Sequence, residues 1–571
     1  MSWQETFNSF EAVTDAPGGI GYIRQVVFEL AISGQLVRQD RTEAPATDFL
    51  GDRVLEDAGN SEDASIPSRW AYSSIELLGS IVGGGTPSKK NDSFWHGDIP
   101  WISPKDMKRD FIGESQDYIT EAALGSSSAK LIPHPSLLFV VRGMILAHSF
   151  PVALTTVDAT VNQDMKALVP FDAQLSPYLL LLFKGLKRRV LDLVARSTHG
   201  TCKLPTKALF SLPLPIPPLA EQHRIVARVD ELMALLDRLE EAKKARDATR
   251  AHLRDAVLAA LQAANDAEEV KTAWSRIADY MHDLFADPAD ILPLRSTILE
   301  LAVHGHLVPQ DSADDSANAL LEKVAAEKTQ LVQDGKIREP KALPPLTSDE
   351  TPFALPDGWV WCRLGQVLLE IEAGWSPSAL KRPKEGREWG VLKVSSCSWG
   401  TFRPDENKAL PPGTHPRVHL EVRDGDFLIS RANTIELVAR SVVVVEPPER
   451  LMLSDKTLRL TPSSNACVGY LNLVNLCKSS RQHYGKHATG TSASMRNVSQ
   501  GAIRELPIPL PPAAEQSRIL EKVEELTTLL DRLEETLRAS RESQEAFSAS
   551  VVRAMPEDRL GVEEGSAVAV G

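Results

Sequence analysis

The chain has 571 residues, 43% hydrophobic and 25% charged, the proportions of an ordinary globular protein with three or four domains. No apolar run approaches the roughly 20 residues of a bilayer-spanning helix, and five cysteines without a CxxC pair argue against a disulfide framework or a zinc site and fit a reducing cytoplasm. The formal charge of −14 argues against a polyanionic partner, but a whole-chain sum is silent on where the charges lie.

Residues 1–66 form a predicted N-terminal helical segment centred on IRQVVFELAISGQLVRQD, and the opening MSWQETFNSFEAVTD lacks the basic and apolar regions of a secretory signal. Residues 67–217 alternate short apolar runs with Gly, Pro and Ser clusters, as in SIVGGGTPSKK, FWHGDIPWISPKD, LLFVVRGM and ATVNQDMKALVP. That texture predicts a mixed domain of many short strands. The segment PLPIPPLAEQ must stay extended until its prolines end. A helix is predicted from Leu219 or Ala220, with Glu221 facing the positive end of its macrodipole. Within residues 218–264, Ile225, Val229, Leu232, Leu236 and Leu239 follow steps of four and three, a heptad seam. Lys243, Arg246 and Arg250 interrupt it, and it is predicted to resume at Leu253, Val257 and Ala260.

Residues 265–355 read as linker and repeat helices, with an extra charged helix and linker over 312–345. Residues 356–511 have the strand-rich texture again. Residues 512–555 predict a second long helix with its seam at Ile519, Val523, Leu526, Leu530, Leu533 and Leu537, then Ser540 and Gln544, then Phe547 and Val551. Each long helix should run about 35–45 residues, or roughly 50–65 Å. Residues 556–571 lack a periodic apolar pattern and are predicted to be a disordered tail.

The chain is written twice. Residues 23–40 and 294–311 share nine of 18 positions, and residues 212–241 and 506–535 share 20 of 30. Weaker echoes pair Pro67 and Trp70 with Pro356 and Trp359, and Gly200-Thr201 with Gly490-Thr491. The period is too long for a solenoid. A duplicated scaffold therefore carries two different inserts, and antiparallel pairing of the long helices would set those inserts apart about a pseudo-twofold axis; two helices packed on their own domains are the alternative.

Catalytic signatures are missing: no Walker phosphate loop, GxGxxG, HExxH, His/Cys cluster, GxSxG elbow, amino-methyltransferase signature or nuclease Asp…Glu-x-Lys pattern. Asp98 and Asp106 are the nearest approach to a carboxylate pair, and loop carboxylates of this kind are ordinarily solvated or capping. A binding or scaffolding protein, not an enzyme, is the leading class.

Four segments in this order carry a resemblance: ILELAVHGHLVPQD, GGGTPSKKNDSFWHGDIPWISPKDM, WGVLKVSSCSWGTFRPDENKAL and GTSASMRNVSQGAIRELPIPLPPAAEQSRI with its first-half partner. Over about residues 20–555 the chain resembles the DNA-specificity subunit of type I restriction–modification systems. The resemblance implies an α+β architecture: two mixed α/β target-recognition domains (67–217 and 356–511) joined by two long antiparallel coiled-coil spacer helices. It implies a non-catalytic subunit that binds double-stranded DNA, each recognition domain taking one half of an asymmetric bipartite target. It implies two modification (methyltransferase) subunits and two restriction (translocase/nuclease) subunits as partners in a bacterial or archaeal cytoplasm. S-adenosylmethionine, ATP and Mg would sit on those partners, and no cofactor on this chain. One departure stands out: GTCKLPTKALFSLPLPIPP is four residues shorter between Gly-Thr and the Leu-Pro strand than its second-half counterpart. The rival expectation is a protein-only assembly scaffold.

Phosphate contacts come from Lys, Arg, Ser, Thr and backbone amides, and base contacts from Arg, Lys, Asn, Gln and acids. In the first insert these rules select Thr86, Ser88, Lys89 and Lys90, then Lys105, Lys108 and Arg109, then Thr201 and Lys203. In the second they select Ser376, Ser378, Lys381 and Arg382, then Arg431 and Asn433, then Thr491, Ser492, Arg496 and Asn497. Trp70, Trp359, Trp95 and Trp101 are assigned to packing ahead of base stacking. The charge sum also divides: residues 67–217 hold 16 Lys/Arg against 12 Asp/Glu, and residues 356–511 hold 20 against 15. The inserts thus carry +4 and +5, and the rest of the chain −23.

Overall fold

The computed structural model describes residues 10–55, 66–196, 202–264, 267–398, 400–492 and 495–554. Thr201 and the predicted tail at 556–571 lie outside the described residues. The chain divides into two compact units: residues 1–246 with 541–571, and residues 247–540. Among the described residues no helix is long and apolar enough to cross a membrane.

In the first unit, helix α1 (Gly19–Ile32) and the short helix Ala46–Leu50 precede the insert. A five-stranded sheet runs in the order Gly79–Gly83, Met165–Pro170, Leu137–Val140, Val152–Thr155, Phe111–Ile112. A three-stranded sheet places Trp95–Ile102 between Asp117–Ile119 and Thr160–Val161, antiparallel to the former and parallel to the latter. The insert opens and closes on one ladder, Ala71–Ser73 against Leu214–Ile216. The prolines then end, and helix α2 (Leu219–Gln262) starts at once. Gln222 Nε2 donates back to the Pro217 carbonyl at 2.8 Å, tying the first turn to the strand that precedes it.

In the second unit, helix α3 (Ile291–His304) and helix α4 (Ala317–Gln333) lead to the second insert. Its four-stranded sheet runs Leu368–Ala373, Thr457–Pro462, Phe427–Ser430, Ser441–Val443. A three-stranded sheet sets Gly390–Leu392 between Asn407–Ala409 and Leu451–Met452, the last pairing again parallel. The closing ladder pairs Val360–Arg363 with Pro507–Leu510, and helix α5 (Ala513–Ala554) follows.

The long helices have 44 and 42 residues. Their predicted seams hold through the first four turns, with Ile225 and Ile519 fully buried and Leu236 and Leu530 nearly so. Past the polar interruption the prediction for α2 fails: Leu253 is 54% exposed and Ala260 is exposed, whereas Leu258 and Leu261 are buried. A straight helix drifts about 20° per heptad against a 3.5-residue repeat. Over four heptads that is about 80°, close to the 100° of one residue, so the buried line moves one position on. In α5 the same shift buries Ser548 beside the predicted Phe547. Within the second unit, Leu258 and Leu261 share an apolar cluster with Leu530, Leu533 and Leu537.

Candidate nucleic-acid interface

Each unit contains the same hydrogen-bonded frame. In the first, Gln39 Nε2 donates to Glu221 Oε1 at 2.6 Å, Tyr178 donates to the Pro215 carbonyl at 2.9 Å, and Arg224 pairs with Glu43. In the second, Gln310 Nε2 donates to Glu515 Oε1 at 3.1 Å, Tyr470 to the Pro509 carbonyl at 2.8 Å, and Arg518 pairs with Asp314 at 2.7 Å. Arg24 reaches Asp237 and Glu240, as Arg295 reaches Asp531 and Glu534. Gly34 and Gly305 turn with φ of +77° and +76°, and a Cβ on either would stand 2.4 Å from the Cγ of Pro67 or Pro356. Trp70 and Trp359 are buried and meet Tyr178 and Tyr470 edge-on, which confirms their packing role. Burial raises the carboxyl pKa of both Glu221 and Glu515, partly offset by their donors. The Trp359 indole completes a bond to Glu515 at 2.9 Å, whereas the Trp70 indole lies beside Glu221 without full hydrogen-bond geometry.

On this frame the inserts bring their polar loops to one turn each. In the first insert the turn is Val161–Asp164. Gly85 N donates to the Val161 carbonyl at 2.9 Å, Asn162 N to Ile102 at 2.9 Å, and Val141 N to Asp164 at 2.8 Å. Thr86 bonds to Gln163 through its hydroxyl. The loop bearing Ser88, Lys89 and Lys90, the loop bearing Lys105, Lys108 and Arg109, and the strand exit at Arg142 therefore share one anchor. All of these side chains except Thr86, which is half-buried, are exposed. Lys203 joins through a bridge to Arg142, a cation that sequence reasoning missed. Trp101 is buried and donates to the Gly85 carbonyl at 2.9 Å, and Trp95 donates to Ser88 at 3.2 Å, so both rings brace the basic loop. Asp106 is spent on Ser103 and the Gln116 amide, a loop-fastening role.

The second insert repeats the plan around Leu453–Lys456. Trp375 N donates to the Leu453 carbonyl at 2.9 Å, Ser376 bonds to Asp455, and Arg431 N donates to Lys456 at 2.8 Å. A small sheet, Ala432–Asn433, Met495–Asn497 and Thr489–Ser492, then joins Arg431 and Asn433 to Thr491, Ser492, Arg496 and Asn497. Arg431 and Asn497 are exposed; Asn433 Nδ2 donates to Ser398 at 3.0 Å, and Arg496 donates to the Gly490 carbonyl at 2.6 Å. Ser378 and Lys381 are exposed on the approach to this surface. Arg382 is held by both oxygens of Glu388, each at 2.7 Å, so its charge is already matched. The anchoring residues Gln163, Asp455 and Lys456 were also missed: Gln163 and Asp455 follow the two parallel-paired strands and Lys456 precedes the antiparallel Thr457–Pro462, pairings that no local pattern displays. Among the described residues there is no group of three His, Cys, Asp or Glu side chains able to hold a metal ion.

Residues 67–246 match the family model described as the type I restriction modification DNA specificity domain. The chain is 31% identical over 556 residues to the type I restriction enzyme EcoEI specificity subunit of Escherichia coli, covering 92% of each chain. It is 26% identical to the EcoAI specificity subunit of the same species, again with 92% of each covered. The solved HsdS subunit from Thermoanaerobacter tengcongensis covers 87% of this chain at 16% identity, with a TM-score of 0.38.

Proposed function

The chain belongs to the type I restriction–modification DNA specificity family, and from that premise we propose that it directs a methyltransferase–nuclease complex to an asymmetric, bipartite DNA target. Recognition of DNA sequence within a restriction–modification complex is the family's role. The finer reading is that residues 67–217 recognise one half of the target and residues 356–511 the other. The observation that carries it is the repeated frame: the same Gln–Glu bond and Tyr–Pro bond hold two inserts whose basic loops differ in sequence. Two unlike readers on matched mounts serve two unlike half-sites. The paired long helices set the unread gap, packed antiparallel. Two modification subunits and two restriction subunits complete the assembly in the cytoplasm and carry S-adenosylmethionine, ATP and Mg; this chain supplies recognition and no catalysis.

The mild positive charge of each insert makes phosphate contact the general term, with Lys89, Lys90, Lys105, Lys108, Arg109 and Lys203 in the first and Lys381 and Arg496 in the second. Base contacts fall to side chains at the strand exits, above all Arg431, Asn433 and Asn497. Methylome sequencing of cells carrying this chain with its modification subunits, before and after residues 67–217 are exchanged for another recognition insert, tests the reading. One half-site should change and the other persist. Changes in both halves, or none, would remove the two-reader reading.

A further inference from the structure

Helix α4, the segment 340–346 that crosses beside it, and the short helices Leu364–Val367 and Gln500–Arg504 enclose a cleft of about 540 Å3. Its walls carry Lys328, Lys341, Arg363 and Arg504, and no carboxylate. Arg363 is neutralised, because Glu350 takes it through both oxygens at 2.6 and 2.8 Å. The other three are in no ion pair among the described residues. Lys328 instead donates to the Gly365 and Gln366 carbonyls at 2.9 and 2.6 Å. An ammonium has three donors, so one remains for the cleft. Burial, and then the Arg504 guanidinium, push the Lys328 amine down to about 8; the buried Cys362 thiol acts on it weakly in the other direction, and Glu370 acts on Arg504. Like charges gathered in a concave wall repel one another and are relieved by an anion between them.

The internal repeat supplies a control for this wall. The two closing ladders align Tyr72 with Trp361, since each pairs with the proline whose carbonyl takes the buried tyrosine. That register sets Ser74 against Arg363 and Glu76 against Gly365, and the helix repeat sets Phe210 against Arg504. Of these pairs, Ser74 and Phe210 carry no charge where Arg363 and Arg504 are cations, and Glu76 stands where the second half has glycine. The first half's helix Ala46–Leu50 has five residues where α4 has 17. Gly365 itself admits the close approach: a Cβ there would meet Arg504 Cβ at 2.9 Å and Leu343 Cδ1 at 3.0 Å. The shared frame therefore does not require Arg363 or Arg504, and Lys328 lies on the part of α4 that extends beyond the five residues of Ala46–Leu50.

We propose that this cleft binds a phosphate-bearing small molecule of nucleotide size, its phosphates between Lys328, Lys341 and Arg504 and its base against Trp361. Such a site lies beyond DNA recognition and gives the subunit a means to sense a soluble anion.

Calorimetric titration of the full chain with ADP and with inorganic pyrophosphate, both without magnesium, tests the site. One ligand per chain is expected. Tighter binding of ADP than of pyrophosphate supports contact of the base with Trp361, and equal affinities assign the site to the phosphate group alone. Lys328→Met and Arg504→Phe, the latter placing the residue that the first half carries there, should each weaken binding about tenfold or more. The exposed Lys341→Gln should weaken it less and cannot disturb the core. Binding should also fall as pH rises past 8, where Lys328 gives up its proton. The same variants should keep their shift of duplex DNA, and Lys89→Ala with Lys90→Ala should keep ADP binding, which separates this site from the DNA surface. No binding of either ligand at millimolar concentration, or binding that all three cleft variants leave unchanged, would overturn the proposal.

Discussion

Trp359 Nε1 donates to Oε2 of Glu515 at 2.9 Å, across 156 residues of chain. The tryptophan opens the second insert, and the glutamate sits in the first turn of α5 beside Gln310, which donates to its other oxygen at 3.1 Å. One carboxylate thus fastens the reader to the helix that carries it. Glu515→Ala should leave the Trp359 N–H buried without an acceptor and cost about 1–3 kcal/mol, whereas Gln310 keeps its bond to the Gly305 carbonyl at 2.8 Å. Trp359→Phe keeps an aromatic ring near Tyr470 but loses the N–H and part of the buried indole, so its cost should exceed the about 1 kcal/mol of the hydrogen bond alone. Urea midpoints of the variants measure both. Because burial raises the Glu515 pKa, ionisation opposes folding in the window just above the ordinary carboxylate value, and stability should fall as pH rises through it. Equal stability of Glu515→Ala and wild type would end the claim that this group is a fastener.

Arg363 offers a second fastening, of the opposite pH sign. Its guanidinium bonds to Glu350, to the Pro344 and Pro345 carbonyls at 3.2 and 2.9 Å, and to the Glu505 carbonyl at 2.6 Å. A lysine has no planar fork to meet all of these, so Arg363→Lys should cost about 2–3 kcal/mol. The Arg363 guanidinium holds the Glu350 carboxyl down to about 2. Its stabilisation is therefore full above the ordinary carboxylate value and is lost as pH falls from about 4.5 toward 2. The difference in urea midpoint between wild type and Glu350→Gln should shrink through that window. A constant difference would show that the pair contributes nothing through its charge.

Lys89 and Lys90 stand exposed at the crest of a loop whose ends are pinned by Trp95 and Trp101. Their free charges and fixed base make them suited to phosphate. Replacing both with alanine should lower the slope of log K against log salt by about 1.8, at roughly 0.9 per phosphate contact. The target sequence should not change, because phosphate contacts position and do not specify. Duplex binding measured from low to moderate salt decides it, and an unaltered slope would remove the loop from the interface.

What was legible in the sequence follows from how far each interaction reaches along the chain. The repeat showed directly, since Gln39 and Gln310, or Glu221 and Glu515, occupy matching places in copied strings. Their bond was not legible, because it joins residues 182 and 205 positions apart. The closing strands and long helices were predicted from proline, which forbids helix on one side and releases it on the other. The seam after Arg250 was misjudged because a strict heptad ignores the drift of a straight helix. Within the inserts, residue type alone selected the exposed lysines. It also selected Arg382, whose charge Glu388 matches six residues on. Arg142 and Lys456 escape a local reading because antiparallel pairing between distant strands, Leu137–Val140 with Met165–Pro170 and Phe427–Ser430 with Thr457–Pro462, sets their place beside the anchoring turn.

The last prediction concerns spacing. If α2 and α5 hold the readers apart, seven residues added to both should lengthen the separation by about 10 Å, since each residue rises 1.5 Å. At 3.4 Å per base pair that is about three added base pairs in the unread gap. Seven residues leave each helix within about 20° of whole turns, while three base pairs turn the duplex by roughly 100° at about 10–10.5 base pairs per turn, so the wider gap is read at some cost in affinity. The insertion belongs in the polar middle, near Lys243 in the first helix and Ser540 in the second, where the seam carries few apolar contacts to disrupt. Methylome sequencing reads the outcome: both half-sites unchanged with a wider gap supports the helices as the ruler, and an unchanged gap assigns the spacing to another part of the assembly.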